Sequence, residues 1–312
     1  MNALIIVSSL LDYINYFYSL GGEDVNELAV VMERFKRHGI GSILDLSIEA
    51  DMDSNPSMSL RESLEACRNV SEMMKESIDI ASLQPNSFIA IKITALIPPP
   101  LLLKMTHSLK FLEEHFSKYS NNGLNGVLNW NEFSHILTQL PNGKSLDIST
   151  IKQLFHHADM KKKTGRIDWI DFTETINFWN PIARHVLSQP TDDPSPGNTF
   201  LSKEDLHNLD ILKNRILELG VYAKEKKVGL TVDAEQTYFQ PAVDSIALQL
   251  CKTINHSFSG TFTERPLIYN TYQLYLIDSL QRLKFDVERA ERYDYTFGLK
   301  VVRGNRCITN FS

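Results

Sequence analysis

The sequence predicts an α/β fold built on a parallel sheet, with a helical insert in the middle of the chain. Three observations support this prediction. Short apolar segments of strand length alternate with longer amphipathic segments of helix length. The strand segments are apolar almost throughout, as is typical of parallel strands covered by helices on both faces. The alternation stops between about residues 106 and 198 and then resumes, so we predict a sheet unit from 1–105 and 199–312 around an insert at 106–198.

Before the insert, helices and strands follow one another in order. A weak first strand is predicted near Tyr16–Leu20, and an amphipathic helix over Glu23–Arg37 precedes the second strand, Gly41–Ser47. A second helix, about Leu60–Ser82, leads into a β-branched strand at Ser87–Thr94, which a run of prolines closes. This order predicts three strands of the sheet before the insert.

After the insert, predicted helices and strands alternate again. The predicted elements are a helix over Lys203–Lys226, a strand at Gly229–Asp233, a helix over Ala242–Thr253, a strand at Leu267–Asn270, a helix ending near Tyr293 and a strand at Thr296–Val302. Three further strands bring the predicted total to about six of the eight that a closed α/β barrel requires.

Polar residues stand where the predicted strands end. They are Asp45 and Glu49, Lys92 and Thr94, Asp233 and Glu235, Asn270 and Gln273, and Lys300 and Arg303. The carboxyl ends of parallel strands meet at one edge of the sheet, where ligands of such folds bind. Burying so many charges without a partner is costly, and we therefore expect a polar ligand at this edge.

Composition and charge exclude several classes of function. The 312 residues include 32 basic and 38 acidic side chains, a formal net charge of −6, and no basic stretch stands out, so nucleic acid is not an expected partner. The apolar run Ala3–Leu11 is too short to cross a bilayer. Cys67, Cys251 and Cys307 are too widely spaced for a metal site. The first basic residue is Arg34, so we recognise no targeting sequence.

The insert contains a segment with the spacing of an EF-hand calcium loop. In Asn121–Glu132 oxygen-bearing side chains occupy the first, fifth, ninth and twelfth positions, and Gly126 occupies the sixth. The candidate metal ligands are Asn121, Asn125, Asn129 and Glu132. Gly123 at the third position offers no side-chain oxygen, and Glu132 is the only carboxylate of the loop. We therefore expect weak calcium binding or none.

A second copy of this pattern spans Asp159–Asp171. It is one residue too long, and Lys161, Lys162 and Lys163 stand where ligands belong. Positive side chains in a cation site disfavour metal binding. We interpret the two segments as a degenerate EF-hand pair that serves as a scaffold, with a weak calcium site centred on Glu132 as the alternative.

Taken together, the strand-end segments resemble the successive strand motifs of the eukaryotic proline dehydrogenase family. The segments are Ser42–Glu49 (SILDLSIE), Ile89–Leu96 (IAIKITAL), Val232–Ala242 (VDAEQTYFQPA), Tyr269–Leu276 (YNTYQLYL) and Gly298–Gly304 (GLKVVRG). They occur in the family's order, and the similarity runs from about Gly22 to Gly304. Animal members of this family carry an EF-hand-like insert at the same place.

The resemblance implies an FAD-dependent enzyme on a distorted (β/α)8 barrel. Such an enzyme oxidises L-proline to 1-pyrroline-5-carboxylate and passes the electrons to quinone at the matrix side of the mitochondrial inner membrane. Hydride leaves the substrate for flavin N5, so the protein mainly positions the two rings and balances charge.

By its place in the family motifs, Lys92 resembles the cation that faces the substrate carboxylate, and Asp233 and Glu49 resemble acids that orient the cationic residues of the pocket. Read without the resemblance, Lys92 could instead be a structural ion-pair partner of Asp233.

The resemblance also implies a set of cofactor-binding residues, which comprises Asn270, Gln273, Lys300 and Arg303. Asn270 matches a flavin-contacting amide and Lys300 a basic residue near N5. Arg303 belongs to the same motif, but an odd spacing should turn it to the other face of the strand. Asn270 and Gln273 read alone would be hydrogen-bonded core amides.

The chain departs from the family after Gly304, where the motif would continue with Ala and Tyr but the sequence reads Asn305 and Arg306. We therefore expect an incomplete barrel, a C-terminally truncated member of the family with an open sheet edge. The alternatives are a hydroxyproline dehydrogenase, or a non-catalytic short form that acts as an interaction or regulatory protein through the EF-hand-like insert.

Overall fold

The structure, a computed structural model, describes residues 25–46, 59–189, 200–256 and 265–303, with side chains from residue 30 onward. The predicted strand at Tyr16–Leu20, the candidate site residue Glu49 and the departure from the family motif after Gly304 lie outside the described residues.

Helices and strands alternate in the sheet unit, as the sequence predicts. Before the insert the structure has α1 (Val25–Arg37), β1 (Ile43–Asp45), α2 (Leu60–Ala81), β2 (Phe88–Ile91), α3 (Ile93–Leu96) and the first part of α4 (Pro99–Tyr119). After the insert follow α9 (Lys203–Lys226), β6 (Gly229–Val232), α10 (Gln240–Ile254), β7 (Ile268–Gln273), α11 (Ser279–Tyr293) and β8 (Leu299–Val302).

The strands of this unit form a five-stranded sheet in the order β1-β2-β6-β7-β8. Every neighbouring pair in it is parallel. The predicted α/β fold with a parallel sheet is therefore confirmed, with five of the six predicted strands within the described residues. Strands from both sides of the insert lie side by side, because β2 pairs with β6.

The observed strands differ from the predicted ones at several ends, and two of these differences have a clear physical cause. The strand predicted to end at Thr94 stops at Ile91, and a short helix begins there. The backbone N–H of Thr94 donates to Glu235 at 3.1 Å and its hydroxyl donates to the same carboxylate at 2.5 Å. A carboxylate that accepts from the first turn favours the helical conformation over the strand. The strand predicted to end at Asn270 continues to Gln273, because that segment pairs with β8.

Helix boundaries follow their capping residues. At the start of α2 the Ser59 side chain accepts from the N–H of Glu62, whose carboxylate accepts from the N–H of Ser59. Ser202 and Asp205 form the same box at the start of α9. α9 ends at Lys226 and is capped by Lys227, a residue in the left-handed conformation with φ of 59°.

The core lies between the sheet and its covering helices. On one face of the sheet Ile89, Leu230 and Ile268 are buried in one row across three strands. On the other face the Phe88 ring lies so close to Gly229 that an added Cβ would stand 2.3 Å from it. Only glycine leaves room there, so the close approach of β2 and β6 depends on Gly229.

The insert consists of two helix–loop–helix units that face each other. Its elements are the end of α4, β3 (Asn121–Leu124), β4 (Val127–Leu128), α5 (Trp130–Gln139), a 3-10 turn at Gly143–Ser145, α6 (Ile148–Ala158), β5 (Ile167–Asp168), α7 (Trp169–Thr175) and α8 (Pro181–Val186). β4 and β5 pair antiparallel, with Leu128 opposite Ile167. Phe116, Phe133 and Phe172 are fully buried between the units.

No helix within the described segments is both long and apolar enough to cross a membrane.

Candidate active site at the strand ends

Three of the predicted charged residues lie at the carboxyl-end side of the parallel sheet. Lys92 directly follows β2, and Asp233 directly follows β6. Lys300 is the second residue of β8 and pairs in register with Thr271 of β7. The structure thus brings side chains from three strands to the same edge of the sheet, as the sequence predicts for a ligand site.

Asp233 and Lys300 form an ion pair at this edge. The Nζ atom of Lys300 lies 2.5 Å from Oδ1 of Asp233, and the two side chains are 33% and 19% exposed respectively. β7 lies between the strands that carry them, so the pair spans one strand of the sheet. A charge-assisted bond between partly buried groups fixes the ammonium over β7.

Lys92 lies next to Asp45, the last residue of β1, with Nζ 3.7 Å from its Oδ2. The Lys92 side chain is 17% exposed and that of Asp45 is 45% exposed. The sequence left open a structural pairing of Lys92 with Asp233. In the structure the carboxylate of Asp233 is hydrogen-bonded to Lys300 instead.

Alternation along β7 directs its side chains to two faces. Asn270 is fully buried, and its Nδ2 donates to Asp244 of α10 at 3.1 Å. Tyr272, also buried, donates to Asp286 of α11 at 2.7 Å. These two side chains face the helices, so Gln273 lies on the opposite face, together with Thr271.

Asn270 is therefore directed away from the ion pair of Asp233 and Lys300. Its Oδ1 accepts from the N–H of Thr271 at 2.9 Å, so both ends of the amide are hydrogen-bonded. This placement matches the second interpretation of Asn270, a hydrogen-bonded core amide. Its contact with a flavin stays a prediction.

Gln273 and Thr271 each carry a buried oxygen without a hydrogen-bond partner among the described residues, Oε1 and Oγ1 respectively. A buried acceptor without a donor is costly, so these atoms suit a ligand that supplies hydrogen-bond donors. Arg303 directly follows β8 and is exposed.

Sequence reasoning missed the role of Asp244, which connects several elements behind the sheet. Its carboxylate accepts from Gln240 at 2.8 Å and from Asn270 at 3.1 Å, and it lies 3.1 Å from Nη1 of Arg282. Burial raises the pKa of Asp244, and Arg282 opposes that shift. An acid between Val243 and Ile246 on the buried face of a helix is the signal that could have indicated it.

Asp286 is a second buried acid of this kind. Burial raises the pKa of Asp286 to about 6, although the nearby guanidinium of Arg289 works against the shift. Tyr272 donates to it at 2.7 Å, and burial and the Asp286 charge hold the pKa of the Tyr272 hydroxyl well above its usual range. Asp244 of α10 and Asp286 of α11 thus accept hydrogen bonds from β7 on the face that the helices cover.

Three of the four candidate calcium ligands form hydrogen bonds within the loop itself, and the fourth, Asn125, is exposed. Oδ1 of Asn121 accepts from the N–H of Val127 at 3.0 Å. Asn129 and Glu132 cap α5 reciprocally: the Asn129 side chain accepts from the N–H of Glu132 at 3.1 Å, and the Glu132 carboxylate accepts from the N–H of Asn129 at 2.7 Å. Among the described residues, no three His, Cys, Asp or Glu side chains come together as a metal site.

Comparison with known proteins assigns the family. The sequence model of the family described as proline dehydrogenase matches residues 29–306. The chain belongs to the proline dehydrogenase family. The chain is 29% identical to mitochondrial proline dehydrogenase 1 of Caenorhabditis elegans over 91% of its own length and 54% of the relative's. For the human protein of the same name the identity is 24%, over 96% of this chain and 57% of the relative.

A bovine hydroxyproline dehydrogenase is 36% identical over 33% of this chain and 22% of its own length. The chain spans somewhat more than half the length of the first two relatives. No solved structure matches the chain significantly.

The strand-end residues of this family member fit an anionic, hydrogen-bonding cofactor. Lys92 and Lys300 bring two ammonium groups to one edge of the sheet. The unpartnered oxygens of Thr271 and Gln273 lie on the same side of β7. A flavin offers both ring acceptors for cations and a ring N–H for such acceptors, so the chemistry of the donor set is compatible with FAD.

A cavity of about 650 Å3 lies elsewhere, between the insert and the helices α10 and α11. Apolar side chains such as Trp169, Trp179 and Phe285 line it. Its lining includes none of the predicted site residues. Within this family member the strand-end edge and the cavity are therefore separate features.

Proposed function

We propose that the chain forms the substrate-binding part of an FAD-dependent oxidoreductase that oxidises L-proline to 1-pyrroline-5-carboxylate. The main observation that supports this function is the ion pair of Asp233 and Lys300, which lies at the same edge of the sheet as Lys92. These residues belong to the strand motifs that resemble the family, and the family match covers them.

In this proposal Lys92 binds the substrate carboxylate. Its ammonium is mostly buried and lies 3.7 Å from the carboxylate of Asp45, which is 45% exposed. A carboxylate ligand would supply a closer, charge-assisted contact. Glu49, just beyond β1, is proposed as an acid that orients the cationic residues.

Asp233 positions Lys300 rather than the substrate. Its carboxylate holds the ammonium by a 2.5 Å hydrogen bond, which fixes the direction of a positive charge above β7. FAD, when bound, would supply the acceptor for a hydride from the ring carbon that is next to nitrogen and carries no carboxylate, and the ring nitrogen would lose a proton as the C=N bond forms. A fixed positive charge near the site stabilises the negative charge that reduction creates. Gln273 and Arg303 are proposed as further contacts of the cofactor.

Quinone is the proposed electron acceptor, and the matrix side of the mitochondrial inner membrane is the proposed location. Support for the organelle comes from the relatives, which are named as mitochondrial enzymes. The sheet unit of 1–105 and 199–312 is proposed to be an incomplete barrel, about six strands of the family's eight, because its edge strand β8 is largely exposed.

Hydroxyproline is the alternative substrate. The observation that favours it is the 36% identity to a bovine hydroxyproline dehydrogenase, although this covers 33% of the chain. Comparing kcat/KM for L-proline and for 4-hydroxyproline separates the two, since a site built for the hydroxyl rejects a substrate that lacks it.

The insert at 106–198 is proposed to be an EF-hand-like pair that works as a scaffold. The antiparallel contact of Leu128 and Ile167, the eighth and ninth loop residues, supports this. The self-contained capping bonds of Asn129 and Glu132 favour a loop that needs no calcium. A non-catalytic role through this insert is the alternative from another class.

The test is conversion of substrate by the purified protein supplied with FAD and a quinone acceptor. We expect a product lighter than L-proline by two hydrogens, detected by mass spectrometry, and the Asp233→Asn variant to yield far less of it. Bound flavin without product would reject proline oxidation but not flavin binding, whereas protein that binds no flavin would support the non-catalytic alternative.

A further inference from the structure

The two loops of the insert can be aligned through the strands that pair them. Leu128 lies opposite Ile167 in the antiparallel β4·β5 pair. The next residue in each loop, Asn129 or Asp168, is the N-cap of the following helix. The residues three positions further on are Glu132 and Asp171, so these correspond by position. In an EF-hand the ninth and twelfth positions of the loop face the metal ion.

In the second loop a guanidinium from the sheet unit contacts both of these acids. Arg292 of α11 donates to the two carboxylate oxygens of Asp168, from Nη1 and Nη2, at 2.9 Å each. Its Nη1 lies 2.7 Å from Oδ1 of Asp171. The Arg292 side chain is 9% exposed and that of Asp171 is fully buried. This is a bidentate, desolvated contact of the kind that is strong and geometrically specific.

Lys162, a residue of the second loop, also contacts Asp168. Nζ of Lys162 lies 2.6 Å from Oδ2 of Asp168. Glu288, one turn before Arg292 on α11, lies 2.5 Å from the guanidinium and is half exposed. Tyr293 donates to Asp171 at 3.1 Å. Asp168 and Asp171 thus each contact a cation of the protein, Arg292, and Asp168 also contacts Lys162, while Oδ2 of Asp171 is buried without a hydrogen-bond partner among the described residues.

The titration of Asp168 agrees with this arrangement, whereas burial raises the pKa of Asp171 against the opposing hydrogen bond from Arg292. Burial works against the ionisation of Asp168, but hydrogen bonds from Arg292, from the N–H of Asp171 and from Lys162 together hold the pKa of Asp168 well below its usual value. Asp168 is therefore ionised and paired throughout the physiological pH range.

We propose that Arg292 is the resident cation of the second loop: its guanidinium takes the place that a metal would hold and fixes the insert on the sheet unit without metal. The proposal rests on the proposed EF-hand-like character of the insert and goes beyond the proposed oxidation of proline. The loop does not fit calcium, because a protein cation already occupies the acids at its ninth and twelfth positions.

The neighbouring contacts extend the attachment along α7. Glu174 accepts from Arg289 of α11 at 2.8 Å, and the ammonium of Lys252 of α10 bonds to the same carboxylate. Arg289 also donates to Thr173 at 3.1 Å. Since α11 connects β7 with β8, the contact of Arg292 holds a helix that joins two strands of the proposed site.

The test is a double-mutant cycle of Arg292→Gln and Asp171→Asn, read as the temperature of unfolding, Tm. Removing the cation alone leaves a buried acid uncompensated, and we expect Tm to fall by roughly 5–10 °C. Removing Asp171 as well should restore part of that loss, so the two changes should not add. Arg166→Gln, which removes an exposed arginine of the same loop, is the matched control and should leave Tm unchanged. Where Arg292→Gln does not fold, the cycle is run with Arg292→Lys.

A second experiment compares Tm in a solution that contains calcium at about 1 mM with Tm in a solution that contains a chelator. It is done in a Glu132→Gln background, which keeps the cap of α5 and removes the carboxylate of the first loop. We expect the same Tm in both solutions. Strictly additive losses in the cycle would overturn the proposal, and so would a calcium-dependent rise in this background. Neither readout involves flavin or proline, so the outcome is independent of the proposed enzyme activity.

Discussion

The ammonium of Lys300 lies 2.5 Å from the carboxylate of Asp233, across the strand that separates β6 from β8. The two residues are 67 positions apart in the chain. Only the parallel order of the sheet brings them together, and the pair gives the proposed site a cation whose position is set by the fold.

Substitution of Asp233 by Asn should lower the rate of flavin reduction by proline. The neutral amide no longer fixes the ammonium, and a displaced positive charge stabilises the reduced flavin less; we expect a loss of roughly 10- to 100-fold. Rapid mixing without oxygen measures this rate. Asp294→Asn, at an exposed helix end where Asn tolerates the left-handed backbone, is the matched control. Equal rates in wild type and Asp233→Asn would contradict the assigned role.

Substitution of Lys92 by Met should raise KM for proline by roughly 10- to 100-fold, because a charge-assisted bond to the substrate carboxylate contributes about 1.5–3 kcal/mol. Lys92→Arg keeps the charge and should recover part of the affinity. Steady-state kinetics provide the measurement. If KM is the same for Lys92→Met and wild type, the carboxylate binds elsewhere.

Substitution of Asp244 by Ala should destabilise the protein. It leaves the buried donors of Gln240 and Asn270 without an acceptor and Arg282 without its closest acid. We expect a loss of about 3 kcal/mol in the free energy of unfolding, measured by denaturant titration. Asp278→Ala removes a 63% exposed acid 3.7 Å from the same arginine and should cost less than about 0.5 kcal/mol. Similar losses in both variants would show that Asp244 is not the connecting residue.

Stability should depend on pH through Asp286. Its pKa is raised to about 6 in the folded state, so the folded protein takes up the proton more readily than the unfolded chain. The resulting stabilisation is complete below about pH 4, the unfolded pKa, and is lost as the pH rises through about 6. Wild type should therefore lose roughly 2–3 kcal/mol between pH 4 and pH 7 relative to Asp286→Asn, which cannot ionise. A constant difference would contradict the raised pKa.

Calcium should give no binding heat with wild type, because the Glu132 carboxylate already caps α5 through the N–H of Asn129. Glu132→Ala should instead cost about 1 kcal/mol of stability through loss of the cap. Calorimetry with calcium on both proteins checks this. Heat in wild type that disappears in Glu132→Ala would establish the alternative, a weak calcium site in the first loop.

Local patterns predicted much of the sheet unit. The bounds of α9, Lys203–Lys226, match the prediction because a capping box opens the helix and a left-handed residue closes it. The end of β2 was not predictable, since the acid that favours a helical turn at Thr94 comes from Glu235, 141 residues away.

In the candidate site, too, features set by the local sequence were predicted and features set by distant residues were not. The row of charges at the strand ends was predicted, because a parallel sheet aligns its carboxyl ends. The face of Asn270 was not, since it depends on which residues of β7 pair with β8 and on Asp244 behind them. The contact of Arg292 with Asp168 also joins residues 124 positions apart, and no local spacing indicates it.

The visible absorption spectrum of the purified protein tests the central proposal most directly. We predict the absorbance of a bound flavin, and its bleaching when L-proline is added without oxygen, with slower bleaching in Asp233→Asn. Protein that is colourless and stays so after incubation with FAD would contradict the proposal that the edge formed by Lys92, Asp233 and Lys300 holds a flavin.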